Sequence, residues 1–185
     1  MLDEILSDLK TSIAKAHEAL KRDLGKVRTG RAHAGMLDTI RVDYYGVSTP
    51  IAQMATVSVP EPRLITVKPW DKSAVKIVEK ALRDSDLGLN PQTDGELIRL
   101  PIPPLTEERR KEMVKLAKKV GEESKVAIRK YRHDALDLAS SVDAEGGASA
   151  DDVDRAKKKA EELVSEAIKT VDTIISNKEK DILEV

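Results

Sequence analysis

The side chains best suited to chemistry in this 185-residue chain are cations, and they gather in one place. Between Arg109 and His133 ten lysines and arginines stand against three glutamates, a local excess of seven in a chain of net charge −1. Arg129 and Arg132 anchor the cluster, backed by Lys125 and Lys130. On a helix the three- and four-residue neighbours of Arg129 are Lys125, Val126, Arg132 and His133. Like charges at that spacing cost a few tenths of a kcal/mol each. Either acids on another helix neutralise them, with Asp3, Glu4 and Asp8 as the alternatives, or they face an external anion. Guanidinium forks fit phosphate oxygens two at a time, and helices that carry them commonly track nucleic-acid backbones. Two smaller features stand beside this one. Arg28-Thr29-Gly30-Arg31 reads as a basic pair or as a plain helix cap with solvated arginines. In Tyr44-Tyr45, strand alternation packs one ring inward and turns the other outward, where it can stack or meet a partner.

Other chemistry is poorly provided for. His17, His33 and His133 lie on different elements, none with a metal-ligand partner three or four residues away. There is no cysteine, no glycine-rich phosphate loop after a strand and no G-x-S-x-G nucleophile turn. The many carboxylates sit at helical spacing and read as solvated faces. The residues therefore predict a protein that is no enzyme and takes neither cofactor nor metal. No apolar run approaches a membrane span, and Met1-Leu2-Asp3-Glu4-Ile5 lacks the regions of a signal peptide. The expectation is a cytoplasmic protein.

The elements that must position the cations follow from periodicity. After Leu100-Pro101-Ile102-Pro103-Pro104, Thr106 can cap a helix with Glu107 and Glu108 in its first turn. Apolar or small residues then recur in steps of three and four at Met113, Ala117, Val120, Ser124, Ala127, Tyr131, Ala135, Leu138 and Val142. Such a rod is roughly 55 Å long and needs partner helices of similar length. Leu2 to Val27 supplies one, ending at Thr29-Gly30, where Gly30 suits a left-handed cap. A loop, Ala144 to Ala150, and a Ser149/Asp152 capping box open the other. From Asp134 onward fourteen acids face seven bases, so this third helix could neutralise the rod.

Between the first two helices the period falls to two. Ile40, Val42 and Tyr44 alternate with polar neighbours, and Gly46 to Pro50 reads as a turn. Strands are predicted over 54–59, 64–67 and 96–102, with a short helix from Asp71 or Ser73 to about Arg83. The fold class is α+β: a long antiparallel three-helix bundle (1–29 and 106–185) with an inserted small β/α/β domain (31–104). Hinges are expected near 29–31 and 103–106, at Gly30, Pro103, Pro104 and Leu105. On residues alone three functions remain: a phosphate-gripping factor, a protein adaptor, and a general RNA-binding bundle.

Five motifs occur in a fixed order: Arg28-Thr-Gly-Arg-Ala32; Val42-Asp-Tyr-Tyr-Gly-Val-Ser-Thr-Pro50; Asp84-Ser-Asp-Leu-Gly-Leu-Asn-Pro91; Pro103-Pro-Leu-Thr-Glu-Glu-Arg-Arg-Lys111; and Val126-Ala-Ile-Arg129-x-x-Arg132. Together they resemble the bacterial ribosome recycling factor family over nearly the whole chain. The resemblance implies an L-shaped monomer of roughly tRNA dimensions that binds the large ribosomal subunit after termination. With elongation factor G and its GTP hydrolysis, such a factor splits the complex into subunits and frees the mRNA. Carried over by position, Arg129 and Arg132 would hold ribosomal RNA, with Lys125 beside them and Arg28 and Arg31 at the hinge end. The translocase would drive the Gly30 and Pro103-Pro104-Leu105 linkers. Two departures stand out. Lys130 and His133 replace the family's usual Asn and Arg, so neither is credited with a specific contact, and His33-Ala34 replaces Ser-Pro or Asn-Pro in one linker.

Overall fold

A computed structural model describes residues 1–184 of the chain. It divides into two compact units, residues 1–28 with 111–180 and residues 29–110 with 181–184.

Unit 1 is built from three long helices, α1 (Leu2–Gly25), α3 (Glu107–Ala144, whose first turn belongs to unit 2) and α4 (Ala150–Leu183, whose last three residues belong to unit 2). Ion pairs join α3 and α4 at Lys118–Glu179, Lys125–Asp172 and Arg132–Glu161. Numbers rise on one helix as they fall on the other, so the two run antiparallel. In α1, His17 donates from Nε2 to the Ala167 carbonyl at 3.2 Å. Ala16 and Leu20 share a groove with Val120, Ser124 and Ala127 of α3. The buried stripe is Leu9, Ile13, Ala16, Leu20 and Leu24 on α1 and Val153, Ala160, Val164, Ala167, Val171 and Ile175 on α4.

The capping signals act as their chemistry requires. Thr106 Oγ1 accepts from Arg109 N at 3.2 Å, and Ser149 Oγ accepts from Asp152 N while donating to its carboxylate. The end of α1 differs from expectation. The helix stops at Gly25 with Lys26 as a right-handed cap, and Gly30 does not adopt the left-handed conformation. The stripe of α3 keeps Ala117, Ala135 and Val142 of the expected seam but adds positions one residue along it. Ala117, Gly121, Ile128, Ala135, Ala139 and Val142 are buried, whereas Leu138 is exposed.

At Gly121 α3 packs directly against Ile175 of α4. A methyl group there would lie 2.6 Å from Ile175 Cγ1 and 2.8 Å from its Cδ1. Alanine gains about 1 kcal/mol in helix propensity, but overpacking a tight contact costs about 1–3 kcal/mol. Gly121→Ala should therefore lower the melting temperature by roughly 2–4 °C, read by circular dichroism at 222 nm. An unchanged or higher melting temperature would show that Ile175 yields freely.

Unit 2 carries a four-stranded antiparallel sheet in the order β3-β4-β6-β5. Its strands are β3 (Ala55–Glu61), β4 (Leu64–Pro69), β5 (Gln92–Asp94) and β6 (Leu97–Pro101). Alternation buries Ile65 and Val67 of β4 and Ile98 and Leu100 of β6 on one face. Helix α2 (Val75–Arg83) covers that face with Val75, Val78 and Leu82, each burial contributing roughly 1.5–3 kcal/mol. Asp71 caps the turn before α2 by accepting from Ser73 N. A separate hairpin pairs β1 (Arg41–Tyr44) with β2 (Val47–Pro50). The stretch 46–50 is thus mostly strand. The turn shrinks to Tyr45-Gly46, both with positive φ, because Tyr44 pairs directly with Val47.

Candidate nucleic-acid interface

Helix α3 runs unbroken through the cationic segment, so 100° per residue fixes which charges share a face. Lys115, Lys119, Arg129, Lys130 and His133 fall on one outward arc, and all five are exposed; Glu112, Glu122 and Asp137 share that arc, with Glu122 turned to Lys125 and Asp137 beside His133. Arg129 has no ion-pair partner among the described residues. Arg132, on the flank toward α4, meets Glu161 at 3.4 Å, with the two side chains 45% and 49% exposed. A pair that open to solvent contributes about 0–1 kcal/mol, little enough for a phosphate to displace the carboxylate. Among the described residues, Asp3, Glu4 and Asp8 pair with neither arginine. Neutralisation of the pair inside the protein is therefore partial and comes from α4.

Lys125 is held differently. Its side chain is only 16% exposed, and its ammonium lies between Asp172 and Glu122. The hydrogen bond to Asp172 raises its pKa most, opposed by desolvation and helped by Glu122. Lys125 stays charged and spends that charge inside the bundle. Lys118 and Lys119 do not pair, among the described residues, with Glu122 and Glu123 four positions on; Lys118 reaches Glu179 on α4 instead. Tyr131 is half-buried and lines the α1–α3 groove with Ser124, whose Oγ is buried with no hydrogen-bond partner among the described residues.

Arg28, exposed at the end of unit 1, has no ion-pair partner among the described residues. Arg31, in unit 2, binds both carboxylate oxygens of Glu184 at 2.7 Å. Pro103 and Pro104 are exposed, while Leu105 is buried.

The two tyrosines separate as alternation suggests. Tyr44 is half-buried against the unit 2 core, and its hydroxyl donates to Asp71 Oδ2 at 2.7 Å. Asp71 accepts as well from Ser73 N and Oγ, which hold its carboxyl below the usual range. The bond to Asp71 pushes the Tyr44 phenol up to about 12 from 10.0. The folded value exceeds the unfolded one, so the stabilisation is complete below about pH 10 and lost as pH rises through about 12. A tyrosine phase centred near 12 should appear in ultraviolet alkaline titration and vanish in Tyr44→Phe. Its persistence in the variant would break the Asp71 assignment. The Tyr44–Asp71 bond and the Glu184 partner of Arg31 join residues 27 and 153 apart, and no local pattern announces either.

Fold and site together define a class: a three-helix bundle with an α/β insert, bearing an outward arginine and lysine stripe on its longest helix. The comparisons narrow the class to one family. The family model described as "Ribosome recycling factor" matches residues 20–183. A ribosome-recycling factor of Sorangium cellulosum (strain So ce56) is 66% identical over 185 residues, covering all of both chains. One from Brevibacillus brevis (strain 47 / JCM 6285 / NBRC 100599) is 52% identical, again over all of both. A solution structure of the ribosome recycling factor superposes with a TM-score of 0.76 at 38% identity, covering 100% of this chain and 98% of that one. A second structure, with a TM-score of 0.68, 41% identity and 99% of each chain covered, presents models of the T. thermophilus ribosome recycling factor and E. coli elongation factor G bound to the E. coli post-termination complex. The chain belongs to the ribosome recycling factor family. None of its helices is long and apolar enough, among the described residues, to cross a membrane.

Proposed function

We propose that the chain binds the large ribosomal subunit of post-termination complexes through the outward face of α3. With elongation factor G and the GTP that factor hydrolyses, it promotes splitting into subunits and release from mRNA. The observation that carries this reading is Arg129, exposed and without an ion-pair partner among the described residues, one helical turn from a weakly paired Arg132. Family membership supplies the ribosome, and the relative shown with elongation factor G on a post-termination complex supplies the second protein.

The roles follow from the charges. Arg129 and Arg132 grip ribosomal RNA phosphates. Arg28 extends the grip, and Arg31 joins it by exchanging Glu184 for phosphate. Lys125 takes part only by giving up Asp172, so its contribution is the smallest. The linkers at Gly30 and Pro103-Pro104-Leu105 act as hinges, and the Tyr44-Tyr45 hairpin is a partner contact. The chain works as a cytoplasmic monomer that supplies charge and shape, while the GTPase supplies free energy.

Purified post-termination complexes test this directly by light scattering. Splitting should require the chain, elongation factor G and hydrolysable GTP together. Splitting of equal extent without the chain, or with a non-hydrolysable analogue, would overturn the reading.

A further inference from the structure

The tip of the β1–β2 hairpin holds a contradiction between sequence and backbone. Tyr45 occupies the first position of a two-residue turn at φ 51, followed by Gly46 at φ 79. Such turns favour Asn-Gly, because a bulky residue is strained in the left-handed region. Tyr45 is the one non-glycine residue with positive φ among the described residues, and it is also the most exposed large apolar side chain there, at 79%. Its ring has no core to fill. It stands edge-on against Tyr44, with ring centres 4.5 Å apart and planes at 69°. Tyr44 is in turn fixed through its hydroxyl to Asp71, which Ser73 holds. A strained backbone thus presents an aromatic ring that a second, anchored ring orients.

The surroundings say what such a ring meets. The hairpin carries one cation and one anion, Arg41 and Asp43, and residues 31–105 carry nine of each. That neutrality offers no field to hold a phosphate backbone, unlike the α3 stripe. Beside the ring, Val47 is 64% exposed and extends the apolar tip. Aromatic residues on rigid turns commonly supply a large share of protein–protein binding energy.

We propose that Tyr45 is a docking residue for a protein partner, seating its ring in an apolar hollow of that partner's surface. The inference rests on the function proposed above, under which the partner is elongation factor G and the RNA grip lies elsewhere on the chain. Strain at Tyr45 is then retained for binding rather than for folding.

Tyr45→Asn and Tyr45→Gly each remove the ring while relieving the turn. Both should melt at or above the wild-type temperature and bind purified large subunits with unchanged affinity. Splitting driven by elongation factor G and GTP should slow about tenfold, the effect of losing one well-seated aromatic. Tyr45→Phe should restore it. Wild-type splitting by both ring-less variants would overturn the proposal, as would a Phe variant as slow as the Asn one. Parallel loss of large-subunit binding would assign the ring to RNA instead. Lower melting temperatures in both ring-less variants would make Tyr45 a structural residue. Wild-type chain that fails to bind large subunits at all would overturn the proposed function, and this inference with it.

Discussion

Replacing Arg129 and Arg132 together by alanine is expected to lower affinity for purified large ribosomal subunits about a hundredfold, with the helix intact. A charge-assisted hydrogen bond contributes about 1.5–3 kcal/mol, so each arginine is worth roughly tenfold or more. Each phosphate contact also adds about 0.7–0.9 to the slope of log affinity against log salt, so the double variant should be shallower by roughly 1.5–2. Stability should change little. Alanine is the best helix former, the mutual repulsion of the arginines goes, and only the half-exposed Glu161 pair is lost. Arg129→Ala alone should cost more than Arg132→Ala, since Arg129 has no ion-pair partner among the described residues that phosphate would have to displace. Unchanged slopes in both single variants would remove the arginines from the interface.

Tying the two linkers together should abolish splitting while leaving binding in place. The chain has no cysteine, so pairs introduced at Thr29 and Pro104 and bridged by a short bifunctional reagent would be the only reactive thiols. Neither position lies on the cationic stripe, and neither side chain forms a hydrogen bond or ion pair among the described residues. Large-subunit affinity should stay within about twofold of the unbridged chain. Splitting should fall at least tenfold and return when a cleavable bridge is cut, because a hinge works through a few backbone rotations. Full splitting by the bridged chain would show that the linkers need not move.

The segments legible in the sequence were those where one physical rule dominates. Thr106 and Ser149 cap helices because their hydroxyls meet orphan amides, and both positions show in the sequence. The period-two segments became strands β1, β3, β4 and β6 for the same reason. What failed needed knowledge of neighbours. A helix packed against two others buries a wide arc, so steps of three and four admitted either Leu138 or Ala139; the structure buries Ala139 and exposes Leu138. Gly121 was invisible because closeness, not hydrophobicity, buries it.

At the site, the exposed run of cations was readable from charge alone, but its internal acids were not. Glu161 and Asp172 are chosen by the α3–α4 register, which no spacing within α3 encodes. The turn at Tyr45-Gly46 was missed because a tyrosine argues against positive φ. That conflict between residue and backbone is what singles it out once the structure is seen.

The central claim, that the outward face of α3 grips ribosomal RNA as the large subunit presents it, is tested most directly by co-sedimentation. The intact chain would be spun with purified large subunits, with the same RNA free of protein, and with a protein-only control. Pelleting with intact subunits in clear preference to free RNA, weakening steeply as salt rises, is the predicted result. A chain that stays in the supernatant at low salt, or that pellets equally with bare RNA, contradicts it.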